Sequence, residues 1–187
     1  MRTSHFYKGI IMIDAKKVLQ AQLARSLGLE SYTDIMRGDP ASPDFQRAFN
    51  GYYRIRRNEK WRRHYYDLFA KAKTERFSFE QIIKELYRQT GNVEASFSSK
   101  MLATIDASKP IWDQYVLQNL GLELIGKTQE EKLQNAVTLY DQIVTWYSDY
   151  LTTDEARENI MEFDRLLPEY ACISETKKID CLLWSKR

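Results

Sequence analysis

Apolar positions recur at helical spacing along almost the whole chain, and the polar residues between them carry helix start and stop signals. Val18, Leu19, Leu23 and Leu27 form one stripe behind Asp14, with Gly28 near its end, which predicts a helix over 15–28. Residues 30–41 contain Gly38-Asp39-Pro40 and read as a connection. Ser42-Pro43 combines an N-cap with proline at the first helical position. A long helix, or two in tandem, is predicted from there to about residue 72, with Gly51 and Asn58 as the places for a break.

Ser78 and Gln81 form a capping box, opening a helix whose apolar face is Phe79, Ile82, Ile83 and Leu86. The turn Thr90-Gly91-Asn92 follows, and then a helix carrying Phe97, Met101, Leu102 and Ile105. The loop Asp106 to Trp112 leads to Asp113 at the mouth of QYVLQNLGL. Thr128 opens a long helix with Leu133, Val137, Tyr140, Val144 and Leu151 at helical spacing. Thr153-Asp154 opens the next, and Ser174 caps the last, with Ile179, Leu182 and Leu183 inward. Only the short IIMI near the start leaves room for a strand. The expected fold class is all-α, with about eight helices packed as a globule.

The length of 187 residues suits one core-forming domain over 42–187, preceded by a helical segment over 1–41. Lysine and arginine nearly balance the acids, giving a net charge of +2, so only a local basic patch could argue for nucleic acid. Cys172 and Cys181 match no metal or redox spacing, so a reduced, cytoplasmic protein without metal or cofactor is expected. The apolar run Gly9 to Ile13 is too short for a signal peptide or a membrane span.

The local patch is GYYRIRRNEKWRRHYYDLF. On an ideal wheel of roughly 100° per residue, Arg56, Lys60 and Arg63 share a face flanked by Arg57 and His64. Ile55, Tyr66 and Phe69 lie opposite, and Arg62 falls among them, which predicts partial burial beside a carboxylate. A basic face next to tyrosines can track phosphates and stack bases, although most charge runs are solvated helix faces.

Thr90 to Leu122 holds the candidate chemistry. Helix N-termini bind anions, and Gly91 permits a positive φ or a close backbone approach, so the turn Thr90-Gly91-Asn92-Val93 could hold a phosphate; it could equally be an ordinary helix–helix connection. Asp113 is a good N-cap, with Ile111 and Trp112 as packing residues before it. The same dipole keeps its carboxylate ionised, ready to stabilise a developing sugar cation and orient a water. Capping and catalysis are compatible.

This order of turn, helix, and aspartate roughly twenty residues on resembles the helix-hairpin-helix (HhH-GPD) DNA glycosylases. The recognisable motif covers residues 89–122 and includes PIWDQYVLQNLGL. Short bacterial proteins with an 8-oxoguanine-glycosylase-like fold look most similar, because they too carry a Trp-Asp pair there. The resemblance implies a double-stranded DNA partner, Asp113 as the catalytic carboxylate, and a base pocket near Trp112, Tyr115 and Trp184. This chain departs from the family in two places. The family hairpin has a second glycine where this chain has Val93. The Schiff-base lysine of bifunctional members falls at or near Ala95, and Lys100, about one and a half turns on, is expected on another face. No four-cysteine cluster follows either. The expected function is therefore monofunctional hydrolysis of the N-glycosidic bond of a modified base. The alternatives are a catalytically silent nucleic-acid-binding protein with the same fold, and an interaction module presenting residues 15–28 to a partner.

Overall fold

In the computed structural model, the described residues are Lys16 and 28–185. The predicted 15–28 stripe, the IIMI segment and His5 lie outside them, apart from Lys16 and Gly28. The described residues are all-α, as the pattern requires. Among the described residues there are nine α-helices: α1 Leu29–Arg37, α2 Pro43–Tyr52, α3 Glu59–Glu75, α4 Phe79–Thr90, α5 Ala95–Ile105, α6 Gln114–Leu120, α7 Gln129–Tyr150, α8 Asp154–Leu166 and α9 Glu175–Ser185. A 3₁₀ turn, Pro168–Tyr170, links the last two. None of these helices is long and apolar enough to cross a membrane.

The caps form as read. Ser42 accepts from the Asp44 amide, and Ser78 and Gln81 complete both bonds of the capping box. Thr128, Thr153 and Ser174 accept from the amides of Glu131, Ala156 and Lys177. Phe79, Ile82, Ile83 and Leu86 are all buried, and α4 packs against α3, α5 and α7. Around it, Phe45, Phe49, Tyr65, Tyr66 and Phe69 form an aromatic core of mostly edge-on contacts at 5.4–6.5 Å.

Three sequence expectations need correction. Residues 30–41 are not all connection: α1 buries Leu29, Tyr32 and Ile35 against α2 and α5. Their i, i+3, i+6 spacing fits one face of a short helix, and only the turn after Arg37 is irregular. The basic stretch is not one helix. Asn58 caps α3 by accepting from the Trp61 amide, and Arg54 sits at φ 52 in the loop before it. Arg56 and Arg57 are therefore loop residues, and the wheel that aligned them with Lys60 and Arg63 does not apply. Finally, the inward stripe of α7 is turned from the predicted one: Ala136, Leu139, Tyr140, Ile143, Tyr147 and Tyr150 are buried, while Leu133, Val137, Val144 and Leu151 flank it. Tyrosines can face inward there because each hydroxyl finds a partner: Pro110 O for Tyr140, Asp180 for Tyr147, and Glu155 for Tyr150.

Candidate functional site

The hairpin between α4 and α5 satisfies itself. Gly91 has φ 70, closes α4, and donates its amide to Tyr87 O at 2.8 Å. Thr90 Oγ1 donates to Leu86 O at 2.7 Å and accepts from the Asn92 amide at 3.2 Å. The Asn92 side chain donates back to Thr90 O at 3.1 Å. A Cβ at Gly91 would meet nothing within 4 Å, so glycine serves the left-handed backbone there and not a tight approach within the fold. Val93 is half-buried against the core.

The basic residues divide unequally. Arg57 spans both oxygens of Glu94 at 2.8 Å, and its guanidinium lies over the rings of Trp61 and Phe97 at 5.4 and 5.3 Å. Glu94 is only 6% exposed, so this ion pair, in which one guanidinium nitrogen donates to both carboxylate oxygens, ties the loop before α3 to the hairpin and uses up one predicted cation. Arg63 reaches Glu59 at 3.5 Å on the surface, an interaction of little energetic weight. Arg56 and Lys60 are exposed. Arg62 is half-buried beside Tyr66 but pairs with no described carboxylate, contrary to expectation.

Asp113 is the N-cap of α6, and its Oδ1 accepts from the Tyr115 amide at 2.8 Å. The loop ahead of it is strapped down from several sides. The Trp112 amide donates to Ser99 Oγ on α5 at 2.8 Å, Tyr140 OH to Pro110 O at 2.9 Å, and Ser174 Oγ to Ala107 O at 2.6 Å. Trp112 is buried and lies parallel to Phe79 at 6.4 Å, so it belongs to the core and not to a base pocket. Tyr115 and Trp184 are half-buried on α6 and α9, two helices in mutual contact, where Asn119 Nδ2 also donates to Leu183 O at 3.0 Å.

Lys100 lies on α5 among aromatic rings: its ammonium is 5.5 Å from the Tyr53 ring centre and 5.2 Å from that of Phe97, and it interacts electrostatically with the Asp113 carboxylate. Burial lowers its pKa below the usual lysine value, and the attraction of Asp113 opposes this. α5 begins at Ala95, so Lys100 lies mid-helix, next to Ser99, which accepts from the Trp112 amide.

Behind this pair, α9 presents a second group that periodicity did not expose. Lys177, Asp180 and Cys181 lie a turn apart and are buried, although two of them are charged types. The Lys177 ammonium sits 4.8 Å from the Tyr32 ring centre and 5.6 Å from that of Tyr52. Burial works against its charge, but Tyr52, Cys181, Tyr53 and Asp180 around it hold it protonated, well above the usual lysine range. Asp180 accepts from Tyr147 OH at 2.5 Å, and burial pushes its carboxyl up to about 6, with Lys177 and the Ile111 amide opposing and Asp113 contributing. The Tyr53 hydroxyl is buried without a partner. A sequence signal for this group did exist: two lysines and an aspartate interrupt the apolar face of the last helix.

Among the described residues, no cluster of three or more His, Cys, Asp or Glu side chains could hold a metal ion. A cleft of about 980 Å³ lies between Phe77–Gln81, the Asp106–Lys109 loop and α7, but Asp113, Lys100 and Lys177 do not line it. No family model, curated protein or solved structure matches the chain.

Proposed function

We propose that this protein binds DNA and hydrolyses the N-glycosidic bond of a modified base, with Asp113 as the reacting carboxylate. The observation that carries this reading is the setting of Asp113: a carboxylate at the positive end of α6, half-buried, on a loop fixed by α5, α7 and α9. A carboxylate placed there can stabilise positive charge developing on a sugar as the base departs. A buried base cannot be reached in a duplex, so the nucleotide would be everted before cleavage. The exposed Arg56, Lys60 and Arg63 would meet the phosphates; the hairpin contributes less, because two of its amides are used within the turn.

Lys100 favours a second reading. A lysine with lowered pKa within electrostatic reach of an aspartate can attack the anomeric carbon of the sugar as the C–N bond to the base breaks and the base leaves with a proton; opening of the sugar ring then gives an imine, from which the strand is cleaved by elimination of the phosphate. The two readings separate under borohydride: a trapped protein–DNA adduct, lost in Lys100→Gln, selects the imine route, and release without an adduct selects direct hydrolysis. Both require excision from duplexes carrying single lesions, detected as strand breaks after alkali. If no lesion is released while salt-dependent DNA binding persists, the protein is a binding protein that retains a capped helix at Asp113.

A further inference from the structure

Ser99 is fully buried in the middle of α5, with Ala95 and Ala103 one turn to either side. At such a position alanine is the better helix former, and a hydroxyl taken out of water costs stability unless it is bonded. This hydroxyl is bonded twice. Its Oγ donates to Ser96 O at 3.0 Å within the helix and accepts from the Trp112 amide at 2.8 Å across to the loop. With its one proton committed to Ser96 O, the oxygen offers only acceptor capacity to the loop. Trp112 immediately precedes Asp113, so this strap is the one nearest the carboxylate. The other side-chain hydroxyls on the loop bond farther back: Tyr140 to Pro110 O at 2.9 Å, Thr176 to Ser108 O at 3.2 Å and Ser174 to Ala107 O at 2.6 Å. The residue after Ser99 is Lys100, whose ammonium interacts electrostatically with the Asp113 carboxylate. One helix thus supplies, from adjacent positions, the bond that fixes the backbone before the carboxylate and a cation that attracts it.

We infer that Ser99 is the positioning residue of Asp113: by holding the Trp112 amide it sets where the carboxylate stands at the mouth of α6. The consequence for catalysis rests on the base-excision reading; the positioning itself does not. The place of the carboxylate has its own reporter. The Tyr115 amide lies in the first turn of α6, where amides have no intrahelical acceptor, and it donates to Asp113 Oδ1 at 2.8 Å. A displaced Asp113 opens that amide to solvent.

The test compares Ser99→Ala with Thr176→Val in the full chain, since each removes one hydroxyl that bonds the same loop. Amide hydrogen exchange is followed by NMR, with the slowest amides of α4 reporting global stability. Ser99→Ala should speed exchange at Tyr115 at least about tenfold beyond any change in those core amides, and Thr176→Val by less than about twofold. In single-turnover excision, the rate at saturating enzyme should fall about tenfold in Ser99→Ala with DNA affinity unchanged, and stay within about twofold of wild type in Thr176→Val. Tyr115 exchange that is unaltered in Ser99→Ala, or raised only in step with the core amides, overturns the inference. Should Ser99→Ala not fold, the wild type decides: a Trp112 amide that exchanges as slowly as the buried turns of α5 supports the strap, and one that exchanges like an open loop overturns it. Excision by wild type that is undiminished in Ser99→Ala removes Ser99 from the reaction and leaves the glycosylase reading. No excision by wild type, with the Tyr115 response intact, removes the glycosylase reading and leaves Ser99 as the residue that sets the carboxylate.

Discussion

The hairpin leads into α5 and the mouth of α6 is bonded to that helix through Ser99, yet they dispose of their polar groups in different ways. At the hairpin, Thr90, Gly91 and Asn92 bond among themselves and to α4, and Arg57 is spent on Glu94. At the mouth of α6, Lys100 is drawn toward Asp113, Lys177 is buried beside Asp180 and the Tyr52 hydroxyl, and Tyr53 OH is buried without a hydrogen-bond partner. A region that closes its own hydrogen bonds is structural until shown otherwise, whereas one that gathers ionisable groups in a buried setting is where chemistry is expected. The segment most like a DNA-gripping motif is thus the quieter of the two.

The largest effect that would sharpen this contrast is on chemistry. Asp113→Asn keeps an N-cap acceptor, so its melting temperature should stay close to wild type, while excision falls by at least about 10²-fold. A comparable loss of stability would make Asp113 a cap and nothing more.

Next in size is a pH effect at Asp180. Its pKa rises from an ordinary 3.8 to about 6 on folding, so the native state binds more protons than the unfolded state between those values. Its contribution is most favourable below about pH 4 and is lost as pH rises through about 6, by roughly 3 kcal/mol for a shift of about two units. Asp180→Asn should remove that component, so denaturant melts at pH 4 and pH 7 should show the variant gaining on wild type at the higher pH. An unchanged difference would mean that Asp180 stays ionised throughout.

Arg57→Ala leaves Glu94 buried and unpaired. Because Arg57 is itself 41% exposed, the expected loss is about 2 kcal/mol, below that of a fully buried pair, and it should appear in chemical denaturation. Gly91→Ala should cost only about 1 kcal/mol, from the left-handed backbone alone, since the added Cβ meets open space. Smallest in stability is Lys60→Glu with Arg63→Glu, both exposed; it should leave melting unchanged but lower DNA affinity and flatten its salt dependence by about two phosphate contacts. If Gly91→Ala reduced DNA affinity more than that double reversal, the hairpin would be the DNA grip and the contrast would invert.

The helices were legible because caps and apolar spacing are local. Ser42, Ser78, Thr128, Thr153 and Ser174 all accept where the pattern placed them. Asp113 as a cap was legible for the same reason. The surroundings of Lys100, Lys177 and Asp180 were not, because they depend on which elements meet: α5 meets the loop before Asp113 through Ser99, and α9 packs on α6. Charged residues on an otherwise apolar helix read as a solvated edge until the fold shows that the edge is covered. Trp112 failed in the opposite direction, since a tryptophan beside a candidate carboxylate suggests a pocket wall until Phe79 is found lying parallel to it. Arg56 was misplaced because the break at Asn58 decides whether a helical wheel applies at all.

The most direct measurement is excision from a panel of duplexes, each carrying one modified base, by wild type and by Asp113→Asn under single-turnover conditions, with strand breaks read after alkali. Release of at least one lesion by wild type, reduced at least about 10²-fold in a normally folded Asp113→Asn, is the expected result. Release that persists undiminished in Asp113→Asn, or no release of any lesion by wild type, contradicts a catalytic Asp113.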